Sequence, residues 1–435
     1  MSESPNERPG ARLQVASPDQ KPVAILPPLH EHFPGSQRVY EGELGVPFRE
    51  ITLAGGEPPL RVYGFIDMGL QRVWAEDDVV VPTRKTTFVL GNVNLYLDFH
   101  PVADWSSLIE VRLTNYPAGT EQYGIPLAGV PYTRTSTAVL DPGNGDGYGT
   151  ARWGAIVLER AYLQWQRAPW LGLRVGQFLT PYGIWNADHG TPTLIALYRP
   201  QAQANEMFPS RQLGVEAFGR REGWPVAGWA VDYHAYVSNG RTQGVVALTD
   251  DKLVGVRAVV STRRPVPLAF GLSAMRSHVV DQQRDFDAAT GQTVRTDVIA
   301  YDERVVGVDA SADLGALRLR AEAAARQKRY AMGRRELAYP GIYFADGTEL
   351  DAYALAAYRI SGTPFEPYGY GELYRWPTAI GEYLANASVG LNTYFTPAIQ
   401  LKIQALYATW LDGRPVLGKT NADELFASAK LVMGF

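Results

Sequence analysis

The sequence predicts an all-β fold: a transmembrane, antiparallel up-and-down β-barrel of about 16 strands, with short turns at one rim and long loops at the other. Three observations predict it. The last stretch, Leu425 to Phe435, puts Leu425, Ala427, Ala429, Leu431, Met433 and Phe435 on one face and Phe426, Ser428, Lys430, Val432 and Gly434 on the other. Side chains alternate faces along a strand, so one face is continuously apolar and the other mixed. The same alternation recurs from Leu60 onward, in segments of roughly the 9–11 residues a tilted membrane strand needs, or slightly longer. The links sort by parity, short after even-numbered strands and mostly long after odd-numbered ones. A soluble sandwich has no reason to sort its loops this way.

Composition narrows the function classes. The chain has 435 residues, of which 20% are charged and 11% aromatic, with 24 Tyr and 10 Trp. It has no Cys, which excludes disulfides and thiol chemistry. A net charge of -4 argues against a nucleic-acid partner. No run of about 18 apolar residues marks a transmembrane helix. A membrane location therefore requires a closed barrel, in which every backbone group finds a partner within the sheet. The opening MSESPNERPGARLQ has no basic region followed by an apolar core, so no signal peptide is legible in it.

Residues 1–59 read as a Pro-rich N-terminal extension on the periplasmic side, interrupted by Pro5, Pro9, Pro18, Pro22, Pro27, Pro28, Pro34, Pro47, Pro58 and Pro59. Glu43 to Leu53 suits a short strand, and a plug entering the lumen is the alternative for the segment as a whole. Residues 60–435 read as the barrel. The first strand is Leu60–Trp74. The second, Phe88–Phe99, sets Val89, Gly91, Val93, Leu95, Leu97 and Phe99 against Asn92, Asn94, Tyr96 and Asp98. The third, Trp105–Tyr116, sets Ile109, Val111 and Leu113 against Glu110, Arg112 and Thr114. In the fourth, Trp153–Gln166, Glu159 falls on the apolar face, and a bulge there restores the pattern. The fifth is Trp170–Leu179, followed by a long segment to Arg211.

The sixth to ninth strands are Gln212–Arg220, Val226–Val237, Lys252–Thr262 and Leu268–Val279. A polar loop then leads to the tenth, Arg304–Asp313, and the eleventh, Ala316–Lys328. The eleventh has high helix propensity, but its period is two and its neighbours require a strand. The last five are Glu349–Ser361, Phe365–Trp376, Tyr383–Phe395, Ala398–Leu411 and Leu425–Phe435. Trp105, Trp165, Trp170, Trp229, Tyr407, Trp410 and Phe435 fall near strand ends or on apolar faces, where interfacial girdles form.

The face that opposes lipid supplies the pore-lining candidates. They are Arg112, Arg160, Arg174, Arg257, Arg318, Arg320 and Lys402, with Asp98, Glu110 and Asp232 as opposing acids. Arg326, Lys430, Glu322 and Glu372 belong to the same face. Bases outnumber acids there, which predicts a weak anion preference if the charges stay free. If Arg and Glu pair across neighbouring strands, they stiffen the wall instead.

Residues 60–435 resemble Gram-negative outer-membrane porins, both the general and the phosphate-selective porin-like groups. The segments that carry the resemblance are VYGFIDMGL at Val62–Leu70, RAYLQW at Arg160–Trp165 and LRVGQFLTPYGIW at Leu173–Trp185, with the terminal Phe435. The resemblance implies a water-filled channel for passive diffusion of small hydrophilic solutes or ions, without a cofactor. It also implies a homotrimer in outer-membrane lipid and Phe435 as an assembly signal. The segment Thr180–Arg211 then becomes a constriction loop folded into the lumen, with Tyr182, Trp185, Asp188, His189 and Arg199 as its characteristic residues.

Other readings of single motifs are weaker. Asp188 and His189 lack a third ligand at metal spacing, and DPGNGDGYG at Asp141–Gly149 lacks the closing Glu of an EF-hand. No metal and no catalytic residue are therefore expected. Two alternatives stand beside the porin: a plugged or non-conducting barrel with a binding or adhesion role, and an outer-membrane hydrolase using His189 or His234.

Overall fold

The computed structural model of the protein describes residues 49–51, 60–75, 86–102, 104–114, 155–188, 190–241, 250–287, 292–335, 346–375, 383–411 and 423–435. Within them the chain forms one antiparallel sheet of 17 strands. In chain order these are β1 (Arg49–Ile51), β2 (Leu60–Ala75), β3 (Thr87–Val102), β4 (Trp105–Thr114), β5 (Ala155–Ala168), β6 (Leu171–Leu179), β7 (Arg211–Glu222), β8 (Trp229–Ser238), β9 (Leu253–Thr262), β10 (Leu268–Asp287), β11 (Gln292–Leu314), β12 (Leu317–Arg335), β13 (Gly347–Tyr358), β14 (Phe365–Arg375), β15 (Tyr383–Thr396), β16 (Ile399–Trp410) and β17 (Glu424–Gly434). From β2 to β17 each strand pairs with its chain neighbours, and β17 pairs back onto β2, closing a barrel of 16 strands. Two short helices, α1 (Trp185–Asp188) and α2 (Gln201–Ala204), lie between β6 and β7.

The seam is set by the alternation of the last strand. Leu431 lies opposite Met68 and Lys430 opposite Gly69, so like faces meet. Beyond β17 the closure continues: the Gly64 and Phe435 backbones exchange hydrogen bonds of 3.0 Å in both directions. The ring of Phe435 then covers Gly64, where a Cβ would stand 2.7 Å from the ring and 2.2 Å from the Asn94 carbonyl oxygen. Only glycine allows that approach. β1 continues the same edge of β2, pairing Arg49 with Val62 and Ile51 with Leu60.

The faces sort as the period requires. Val254, Val256, Phe270, Leu272, Val306 and Val308 stand exposed outside, while Arg257, Ser273 and Asp309 on the same three strands are buried inside. The short-turn rim carries Trp105 opposite Trp165 on the outer wall, with Trp170 and Trp229 nearby. The long-loop rim carries Trp74 and Tyr407 on either side of Leu425. The side chain of Trp410 and the segment Asp141–Gly149 lie outside the described residues. We expect Val308→Arg, which puts a charge on the apolar outer band, to cost roughly 2–4 kcal/mol of folding free energy in lipid vesicles. Urea titration of the vesicle-inserted protein measures it; an unchanged midpoint would mean that this face does not meet lipid.

Several strands show why the alternation holds or breaks. β12 is paired along both edges despite its helix propensity, because hydrogen bonds to β11 and β13 outweigh a preference worth tenths of a kcal/mol per residue. The bulge expected at Glu159 is present: pairing steps from Glu110–Arg160 to Val111–Leu158, so Glu159 and Arg160 are both buried. A second bulge was not legible. Pairing between β2 and β3 steps from Ile66–Val93 to Met68–Leu90, which breaks the expected run of Val89, Gly91 and Val93 and leaves Phe88 exposed opposite Leu70.

One expected loop is a hairpin. The polar stretch after Val279 continues as strand, so β10 has 20 residues and β11 has 23, paired from Leu268–Ala312 to Asp287–Gln292. At about 3.4 Å per residue these strands reach roughly 70 Å, well beyond the membrane band. Polar composition hid them, since a strand outside lipid needs no apolar face to keep its backbone paired. His100, expected in a turn, lies within β3 for the same reason.

Candidate functional site: the lumen and its inserted loop

The segment between β6 and β7 enters the barrel. Its apolar residues Trp185, Ile195, Ala196 and Tyr198 pack in one buried cluster with Tyr353, Leu355, Tyr368, Tyr370 and Leu406. Those last five are inward residues of β13, β14 and β16, where an empty water-filled lumen would call for polar groups. They form a seat for the loop. A second cluster holds Tyr182, Met207 and Phe208, with Tyr182 and Phe208 stacked at 4.4 Å between ring centroids. Burial pushes the Tyr182 phenol well above its ordinary pKa, and the Glu322 carboxylate adds to the rise. The phenol stays protonated and donates to Gln203 Oε1.

Polar groups fix the loop's height in the barrel. Both helices begin on wall carboxylates, which satisfy N–H groups that a helix start leaves without partners. The Trp185 N–H donates to Glu322 Oε1 at 2.7 Å, the Ala202 N–H to Asp351 Oδ2 at 3.1 Å, and the Gln201 N–H to Glu372. Gly183, at φ 57°, lies so close to Glu322 that a Cβ would meet its Oε2. Gln404 Oε1 accepts from the N–H groups of Leu197 and Tyr198, Asn392 donates to the Ile195 carbonyl, and Lys402 to the Leu194 carbonyl. At the far end Arg241 binds the carbonyls of Glu206 and Met207, and Arg326 that of Glu206. Thr191 reaches β2, donating to Asp67 at 2.8 Å.

All ten pore-lining residues named from the sequence face inward, and each already has a partner. Arg112 meets Glu159 at 2.8 Å, Arg160 meets Glu110 at 2.6 Å, and Arg174 meets Glu216 at 2.7 Å. Arg257 reaches across β10 to Asp309 at 2.6 Å. Arg318 meets Glu366 at 2.5 Å, and Arg320 meets Asp313 at 2.7 Å. Asp232 holds Arg220 at 2.5 Å, and Asp98 holds His100 at 2.9 Å. Lys402 is the loop anchor described above. His234 binds Glu216 at 2.7 Å and stacks on Phe218, which ties it into the wall. The rings and guanidiniums interleave: Tyr63 stacks on Tyr96 at 4.8 Å, and Arg174 lies over Tyr162 at 4.2 Å and over Phe218 at 4.8 Å. Charge on the wall is thus largely neutralised pair by pair.

The two flanks of the loop differ. Glu322, Asp351 and Glu372 face it from β12, β13 and β14, and none of them has a cation within 4 Å among the described residues. On the other flank a small cleft of about 30 Å³ opens between the loop and β2–β4, lined by Asn92, Asn94, Arg112, Trp185, Arg199 and Lys430. Behind it, Asp67 takes Lys430 at 3.4 Å, and Glu159 takes Arg112 and also Arg211 at 3.0 Å. Of the five loop residues singled out from the sequence, Tyr182 and Trp185 are buried in the loop's packing and Arg199 borders the cleft. Asp188 ends α1; its side chain, and all of His189, lie outside the described residues.

Sequence reasoning missed the anchors Asp351, Asn392 and Gln404. A signal was available: the inward face of β13 turns apolar after Asp351, at Tyr353, Leu355 and Ala357, which a strand facing only water on its inside would not do.

Comparison with solved structures places this architecture. An anion-selective porin from Comamonas acidovorans superposes with a TM-score of 0.54 at 13% identity, covering 87% of this chain and 100% of that one. The chain has the porin fold. OmpT of Vibrio cholerae, in-vitro folded, gives 0.52 at 9% identity over 86% of this chain and 97% of that chain. Salmonella typhi OmpF, in complex with daunomycin, gives 0.51 at 14% identity over 89% and 100%. No protein-family profile matches the chain. An uncharacterized protein of Aquifex aeolicus (strain VF5) is 33% identical over 89 residues, which is 20% of this chain and 19% of that protein's length. The barrel described here thus shares architecture with these proteins at low sequence identity.

Proposed function

We propose that the protein is an outer-membrane channel for passive diffusion of small hydrophilic solutes and ions, with a weak preference for anions. The short turns, with the first residues of β2 and Phe435 beside them, face the periplasm, and the long loops face outward. Transport follows the solute's gradient, so no cofactor is needed. The observation that carries the reading is the asymmetry about the inserted loop. Wall charges cancel in pairs, and the carboxylates on one flank accept from loop N–H groups. Arg199, with Arg112 on Glu159 and Lys430 on Asp67, converges on the cleft at the other flank. Selectivity follows the charges at the narrowest part of a channel rather than the total on its wall. Assembly as a homotrimer, with Phe435 as the assembly signal, belongs to the same proposal and rests on the resemblance of the sequence to porins.

The test is single-channel recording in a planar bilayer under a KCl gradient. Stable steps with a reversal potential of anion sign are expected. Lys430→Glu should move that potential toward cations, because it replaces one of the cleft's three cations by a second carboxylate beside Asp67. Cation preference in the unaltered protein would sink the anion reading. Silence from folded, inserted protein would sink the open channel and favour the plugged barrel.

A further inference from the structure

We infer that the cleft beside the inserted loop binds the hydroxylated end of a small organic anion, with hydroxycarboxylates as the class. This deepens the anion reading and rests on it for the charge. The new information is in the uncharged groups.

Asn92 and Asn94 line the cleft on adjacent inward positions of β3. Their amide nitrogens are committed: Asn92 Nδ2 donates to Asp67 Oδ2 at 3.1 Å and Asn94 Nδ2 to Glu110 Oε1 at 2.8 Å. A carboxylate only accepts, so neither amide can be reversed without placing oxygen against oxygen. Both amide oxygens are buried and without a donor among the described residues. The indole N–H of Trp185, which can only donate, is buried on the loop side of the same cleft with no acceptor. The residues that wall the cleft thus carry two acceptors and one donor without protein partners, lying just beneath its surface, beside Arg199, Arg112 on Glu159 and Lys430 on Asp67. Buried polar groups are normally matched, and each unmatched one is costly.

Water, with two donors and two acceptors, satisfies that set; among ions few do. A halide accepts only and leaves both asparagines unmatched. An inorganic cation would be held by the asparagine oxygens but not by the indole N–H, and Arg112, Arg199 and Lys430 repel it. A carboxylate with a neighbouring hydroxyl accepts from the cations and the indole and donates to an asparagine oxygen. The cleft of about 30 Å³ exceeds the roughly 10–15 Å³ that one water needs. It has room for about two water-sized groups, such as a hydroxyl and one carboxylate oxygen, while the rest of the solute stays in the lumen.

The experiment is block of chloride current through the full-length protein by glycerate, compared with propionate, which has the same charge and carbon count and no hydroxyl. We expect glycerate to halve the current at a concentration roughly tenfold lower, the effect of about one well-matched buried hydrogen bond. Trp185→Phe, which keeps a ring and removes the N–H, and Asn92→Ala should each bring glycerate toward propionate. Equal block by the two anions in the unaltered protein overturns the inference and leaves the cleft to water. A glycerate preference that survives both substitutions also overturns it, by placing the discrimination elsewhere. The KCl reversal potential is read separately. A cation-selective channel that still prefers glycerate would fail the anion reading and keep the hydroxyl site; an anion-selective channel that treats both anions alike would do the reverse. If neither variant folds, the comparison in the unaltered protein decides alone.

Discussion

Replacing Glu322 and Glu372 together by alanine should release the inserted loop and raise single-channel conductance severalfold. Glu322 takes the N–H of Trp185 at the start of α1, and Glu372 that of Gln201 at the start of α2. Without them these N–H groups lose their partners inside the barrel, at about 1–3 kcal/mol each. Neither residue has a basic partner within 4 Å among the described residues, so the double change strands no buried cation. It does free the hydroxyl of Tyr353 and the amide of Asn386, which also donate to these carboxylates. The loop retains Gln404, Asn392 and its aromatic packing, so either change alone should have a smaller effect. Planar-bilayer recording reads both the mean conductance and its noise. Unchanged conductance in the double variant would show that the aromatic seat alone holds the loop, and the carboxylates would lose their role as anchors.

Arg174→Met should destabilise the barrel by about 3–5 kcal/mol, the cost of leaving one member of a buried ion pair alone. Arg174 lies directly opposite Glu216 across the β6–β7 pair and is 5% exposed, while Glu216 is 0% exposed. The guanidinium also binds Gln164 Oε1 at 2.7 Å and fills the gap between the rings of Tyr162 and Phe218. His234 remains on Glu216 and softens the loss. A matched double variant, Arg174→Met with Glu216→Met, should recover most of the stability, because a well-packed apolar pair often replaces a buried ion pair at little cost. Equilibrium unfolding in lipid vesicles measures both. A loss below about 1 kcal/mol for Arg174→Met would mean that water screens the pair as it does a surface salt bridge.

Much of this architecture was legible because a barrel wall obeys a strict local rule. One face meets lipid and the other the lumen, so a period of two runs through every membrane strand, and even the bulge at Glu159 was visible as a break in it. The rule is silent where lipid is absent. The polar extension of β10 and β11 was read as loop, because strands beyond the membrane need only backbone partners. At the candidate site, Arg112, Lys430, Trp185 and Arg199 were identified as inward or loop residues. Their convergence on one cleft was not, since the loop joins wall positions separated by more than 200 residues, as in the contact of Leu197 with Gln404.

The sequence by itself determined the membrane strands, their order and, apart from the β2–β3 bulge, which face of each meets lipid, because hydrophobic alternation is local and each strand pairs with its neighbour in the chain. Only the tertiary structure decided which charges are free to act on a solute. Arg160 and Glu110 are 50 positions apart in the chain and 2.6 Å apart in space. Whether an arginine selects an anion or neutralises a carboxylate depends on that distance, and no local pattern encodes it.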